Sequence, residues 1–135
     1  MRKFATAVVA AGLFFGGMGV AVADSTHELV MKTPGAKFVG TYAWQPTSRI
    51  PSGLHVQGDL IDRAGEDGHN VYLRMKVEGY AWGRINGTQR KTVKIDKVFS
   101  DGAVLKTKNV RLQTCRDRGS LRPDNCSDEL HIKRR

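Results

Sequence analysis

From Lys37 onward the chain is built of short runs in which apolar and polar residues alternate, separated by Gly, Pro, Asn and Asp. A period of two sends one set of side chains to a buried face and the other to water, as a half-buried strand requires. No stretch keeps the three-to-four-residue spacing of an amphipathic helix. The runs predict strands at 37–44, 53–61, 70–85, 88–99, 103–114 and 128–133, and hence an all-β chain. Strands with one apolar side cannot bury that side alone, so those at 37–44 and 53–61 are expected to form a second layer. The expected fold is a small antiparallel β-sandwich, with a partly open β-barrel as the alternative.

Turn residues refine this layout. Asn86-Gly87, between Ile85 and Thr88, predicts a two-residue hairpin, because Asn and Gly both tolerate positive φ. Pairing about that turn sets Trp82 against Lys91, Tyr80 against Val93 and Glu78 against Ile95. The last pair conflicts with the apolar series Val71, Leu73, Met75 and Val77, so a bulge near Gly79 is expected to shift the phase. Tyr80 and Trp82 then join the core with Phe38, Tyr42 and Trp44, the alternative being an aromatic platform for a ligand. Tyr72, alternating with Arg74, Lys76 and Glu78, is expected to be exposed. Ser100-Asp101-Gly102 predicts a second hairpin, and the second half of the chain reads as a meander.

The N-terminus changes the picture by setting a compartment. Met1-Arg2-Lys3 is basic, residues 4–20 are uncharged and rich in Ala, Val, Phe and Gly, and Ala21-Val22-Ala23 is a small-x-small site before Asp24. This is the pattern of a cleaved secretory signal peptide over 1–23. A polar, flexible lead-in at 24–35 and a single β domain at 36–135 follow. Removal of Arg2 and Lys3 lowers the formal charge from +9 to +7. Cys115 and Cys126 are an even pair in an exported chain, and one disulfide closing a hairpin is expected. Closing that loop contributes about 3 kcal/mol in the chain-entropy account. Two thiols and four scattered histidines do not make a closed zinc site, so neither metal nor cofactor is expected.

Charge and loops supply the candidate chemistry. Arg74, Lys76, Lys94, Lys106 and Lys108 recur along the strands, giving a wet, positive sheet face able to attract a polyanion. The plainer account of these charges is a solvated surface that discourages edge pairing. Within the loop between the cysteines, Arg118, Leu121 and Arg122 are candidate recognition residues, with Leu121-Arg122 suited to a trypsin-like pocket. The 62–68 loop offers Asp62, Glu66 and Asp67, but its spacing matches no standard calcium loop. No serine has the Gly-x-Ser-x-Gly context and no histidine an evident partner, so no catalytic residue is assigned. Asn86-Gly87-Thr88 also matches a glycosylation acceptor.

The Ala- and Gly-rich export segment, the basic β domain and the Leu112-Gln113-Thr114-Cys115 to Asn125-Cys126 hairpin resemble small uncharacterised secreted proteins of actinobacteria. That resemblance implies export, a β fold and the disulfide, with no site residue to carry over. The expected function is a secreted, extracellular, monomeric and non-catalytic binding protein, recognising an anionic cell-envelope polymer or another protein, with nucleic acid not the expected partner. The alternative is a secreted protease or hydrolase inhibitor acting through the disulfide loop.

Overall fold

The computed structural model describes residues 25–64, 68–101 and 106–135. The segment read as a signal peptide lies outside them. The chain is all-β, with strands β1 (His27–Thr33), β2 (Ala36–Trp44), β3 (Leu54–Asp62), β4 (Val71–Val77), β5 (Gly83–Asn86), β6 (Thr92–Phe99), β7 (Asn109–Arg116), β8 (Asn125–Cys126) and β9 (Leu130–Lys133). The first sheet has the order β1-β2-β3-β6; in the second, β5, β4 and β7 are neighbours and β7 also pairs with β8 and β9. All these pairings are antiparallel. The sheets face each other without closing into a barrel, so the sandwich expected from the alternation is the observed architecture.

The core follows from the same alternation. Leu29 and Met31 of β1, Phe38 and Trp44 of β2, and Leu54, Val56 and Leu60 of β3 are buried against Val71, Leu73, Met75, Val77, Val110 and Leu112 of the second sheet. Each large aliphatic or aromatic side chain so buried contributes roughly 1.5–3 kcal/mol. Gly40 and Gly58 face one another across β2 and β3. A Cβ on Gly58 would lie 2.7 Å from Phe38 Cζ, so the bare backbone is what lets the Phe38 ring settle there.

Several sequence expectations are corrected. The segment read as a flexible lead-in contributes β1, whose Leu29 and Met31 are core residues. Asn86-Gly87 is not a hairpin turn: β5 pairs with β4, and β6 lies beside β3 in the other sheet. Gly87 is required for space rather than for φ. Its N–H donates to Val71 O (2.7 Å), Asn70 Nδ2 donates to its carbonyl (2.8 Å), and a Cβ there would meet Val71 Cγ2 at 2.9 Å. The positive φ on this crossing belongs to Arg90, at 63°.

The phase break near Gly79 is real but is a turn, not a bulge. Gly79 has φ +85°, Tyr80 N–H donates to Val77 O (3.0 Å), and the predicted strand 70–85 folds back on itself as β4 and β5. Tyr80 consequently stands half in water rather than in the core. Trp82 is half-buried on the outer side of the second sheet, and Tyr72, expected to be exposed, is buried. The second predicted hairpin also fails, because β6 and β7 belong to different sheets; residues 102–105 themselves lie outside the described residues. The disulfide hairpin forms as expected, with Cys115 and Cys126 bonded and directly opposed on β7 and β8.

One arginine fastens the end of the sandwich. Arg134 donates from Nε to Thr107 O (3.0 Å), from Nη1 to Gln45 O (3.0 Å) and from Nη2 to Ser52 Oγ (2.7 Å), while its guanidinium lies 4.6 Å from the Trp44 ring centroid. Ser52 Oγ in turn donates to Gln45 O (3.0 Å). Carbonyls of two connections are thus gathered by one planar fork.

Candidate functional site

The outer face of the second sheet is set by parity. On β4 the odd residues Val71 to Val77 point inward, leaving Tyr72, Arg74 and Lys76 outside. Register then aligns Arg84 of β5 with Arg74, Arg111 of β7 with Lys76, and His131 of β9 with Arg111. Arg84, Arg74, Lys76 and Arg111 therefore share one face across three adjacent strands.

Two guanidiniums on this face lie over aromatic rings. Arg74 lies 4.2 Å from the Trp82 ring centroid and Arg84 lies 3.8 Å from that of Tyr72. Arg74 Nη1 donates to Gln113 Oε1 (3.3 Å), and Arg84 Nε donates to Asn86 Oδ1 (2.8 Å) with Nη2 3.8 Å from Asp117 Oδ2. The Tyr72 hydroxyl donates to Asp124 Oδ2. Burial, and then the Asp124 carboxylate, push the Tyr72 phenol up to about 12. These contacts explain why an outward position is buried: Arg84 covers the ring and Asp124 takes its polar tip. Tyr72, Arg74, Trp82, Gly83, Arg84, Asp124 and Cys126 line a groove of about 480 Å³.

Further along the face, Lys76, Glu78, Asn109, Arg111 and His131 surround a smaller hollow of about 270 Å³. Arg111 Nη1 is 3.2 Å from Glu129 Oε1. Partial burial, then Arg111 and Lys133, lower the His131 pKa, as a cationic neighbourhood does. Glu78 accepts from the Lys108 backbone N–H and from Asn109 Nδ2 (3.1 Å), and is held below the usual carboxylate range chiefly by the first of these.

The five basic candidates are therefore divided. Arg74 and Lys76 lie together. Lys94 is on the outer face of the first sheet, with its Nζ 3.4 Å from Asp59 Oδ1. Lys106 is exposed beside the bridge to Ser52 at one end of the sandwich, and Lys108 is exposed just before β7. Arg84 has no place in the sequence-based series of basic strand residues, whereas Arg111 belongs to it with Arg74 and Lys76. Reading Gly79 as a turn would have revealed Arg84, since folding the segment about it places Arg84-x-Asn86 against Tyr72-x-Arg74.

The hairpin loop forms a second concave surface. Arg118 N–H donates to Asp124 Oδ1 (3.2 Å) and its Nη1 to Asn125 Oδ1 (3.0 Å), while Gly119, at φ +83°, donates to Asp117 Oδ1 (2.8 Å). Leu121 is 96% exposed, and Arg122 is exposed beside it. Arg118, Leu121 and Arg122 line a groove of about 520 Å³ with His69 and Arg116.

Elsewhere, His55 Nε2 and Asp96 Oδ1 are 2.5 Å apart on the outer face of the first sheet, and Gln57 Nε2 donates to Asp96 Oδ2 (3.3 Å). The His55 hydrogen bond, then that from Gln57, lower the Asp96 pKa. In the loop considered for calcium, the Asp62 oxygens accept from Ala64 N–H (3.0 Å) and Arg90 N–H (2.9 Å), while Glu66 and Asp67 lie outside the described residues. Among the described residues, no group of three or more His, Cys, Asp or Glu is placed to hold a metal, and no helix is long and apolar enough to cross a membrane. Comparison with protein-family models, curated proteins and solved structures finds no match to this chain.

Proposed function

We propose that this is a secreted, non-catalytic binding protein whose ligand is an anionic polymer of the cell envelope, held on the outer face of the second sheet. One observation carries the reading: Arg84, Arg74, Lys76 and Arg111 come to a common face through strand register, with two of the guanidiniums fixed on aromatic rings. A flat array of cations spaced by a β-sheet meets successive charges of an extended polyanion, and releases its counterions on binding. Export fits the disulfide, which persists in oxidising compartments.

Retention of the oxidised protein on purified envelope and on a heparin-like polyanion across a salt gradient tests this. The double variant Lys76→Glu/Arg111→Glu is expected to elute at markedly lower salt, whereas Lys94→Glu, on the opposite sheet and already beside Asp59, elutes with the parent protein. Equal elution of all three would remove the basis for the reading. A second reading, inhibition of a trypsin-like protease, is favoured by the protrusion of Leu121 and Arg122 from a disulfide-closed loop. Such capture would resist salt and be lost in Arg122→Ala.

A further inference from the structure

We infer that the groove between β4, β5 and the disulfide hairpin binds a carboxylate-bearing sugar, so that the polymer recognised by the basic face is an acidic polysaccharide. The inference rests on the polyanion reading and names the repeating unit that this groove would take.

Arg74 and Arg84 are directly opposed across β4 and β5. Like charges at opposed positions weaken a ladder unless something lies between or beside them. Each guanidinium is stacked on a ring, at 4.2 Å over Trp82 and 3.8 Å over Tyr72. A guanidinium that meets a ring through its face keeps its N–H groups directed around the edge, the geometry that grips a carboxylate in two-point contact. The neutral Gln113 side chain meets Arg74 at Nη1, while Arg84 has Asn86 at Nε and the Asp117 carboxylate 3.8 Å from Nη2, a loose ion pair that a ligand carboxylate would replace.

The remaining walls select a sugar over a bare anion. Asp124 lines the same groove. Its oxygens accept from Tyr72 Oη and Arg118 N–H, and a carboxylate has room for about two further donors. It repels an anion placed against it, phosphate or carboxylate alike, and accepts sugar hydroxyls, so the acid group of the ligand belongs on the guanidinium side of the groove and its hydroxyls on the Asp124 side. Trp82 lines the groove with Arg74 over one face of its indole, and the other face is the surface left for the apolar C–H face of a pyranose ring. An anion clamp, a hydroxyl acceptor and an aromatic wall in one groove of about 480 Å³ match the acid, the hydroxyls and the ring of a uronic acid.

Calorimetric titration and thermal melting of the oxidised protein with a short oligogalacturonate, its methyl-esterified uncharged form, and a polyphosphate of similar charge decide the matter. Oligogalacturonate is expected to bind, raise the melting temperature and shift the Trp82 emission, with Trp44 buried beneath Arg134 as a constant background. The methyl ester is expected not to bind. Trp82→Ala and Arg84→Lys should each weaken oligogalacturonate binding about tenfold; the second keeps the charge and loses only the planar fork, so it serves even where the first fails to fold. If polyphosphate binds as tightly and both variants leave oligogalacturonate affinity unchanged, the sugar site is refuted while the basic face stands. If neither charged polymer binds, both readings fall.

Discussion

Tyr72 ionises late because two features oppose a phenolate: its buried ring and the Asp124 carboxylate that takes its proton's hydrogen bond. The folded protein therefore holds this proton more tightly than an unfolded chain, whose tyrosines titrate near 10. Its contribution to stability is whole below pH 10 and is lost as the pH climbs towards 12. Spectrophotometric titration should show one tyrosine ionising late, and Tyr72→Phe should abolish that step and flatten the difference in stability across this interval. Thr114 presents the opposite case. It points into the core and its hydroxyl has no hydrogen-bond partner, although its backbone is bonded to Ser127 on both sides. Thr114→Val replaces that hydroxyl with a methyl group of the same shape and should gain about 1 kcal/mol in denaturant unfolding. A loss there would mean that the hydroxyl is satisfied in solution.

The disulfide hairpin does more than close a loop, since it carries Asp124 to the Tyr72 hydroxyl and Asp117 to Arg84. Cys115→Ala/Cys126→Ala should cost about 3 kcal/mol and also bring the Tyr72 titration back towards 10, two readouts of one constraint. At the other end of the sandwich, Arg134→Ala strips three hydrogen bonds from the carbonyls and hydroxyl it gathers, with an expected cost of about 2–3 kcal/mol on thermal or denaturant unfolding. Strands β2 and β3 were legible because their alternation is uninterrupted and both lie within one sheet. The path between β4 and β6 was misread because Asn-Gly carries the same letters whether it supplies positive φ or merely clearance. Here Gly87 yields room to Val71, a long-range contact invisible in local sequence. Strand β1 was missed since only Leu29 and Met31 of its seven residues are buried. Among the site residues, Arg74 and Lys76 could be found by parity on their own strand; Arg84 needed the right turn, and Arg134 had no local signal at all.

For the molecule as a whole, the two outer faces are unlike. One sets Arg84, Arg74, Lys76 and Arg111 on adjacent strands, with aromatic rings under the first two and Asp117 and Glu129 beside Arg84 and Arg111; the other sets Lys94 beside Asp59 and His55 beside Asp96. Composition gives a net charge of +9 but not its division between faces, which depends on which strands share a sheet. That division comes from a chain that changes sheet three times, after β3, β5 and β6. Strands β1 to β3 and the β4–β5 pair involve near neighbours in sequence, but β6 must return to β3 and β7 to β4. Each return closes a long loop, whose entropy is lost before the new ladder compensates it. The two sheets are therefore interlaced in the order of their assembly: the first waits for a strand that has already left the second, and the second for one that follows it. Completing either layer closes a loop that contains a strand of the other, so the two sheets share their most distant contacts.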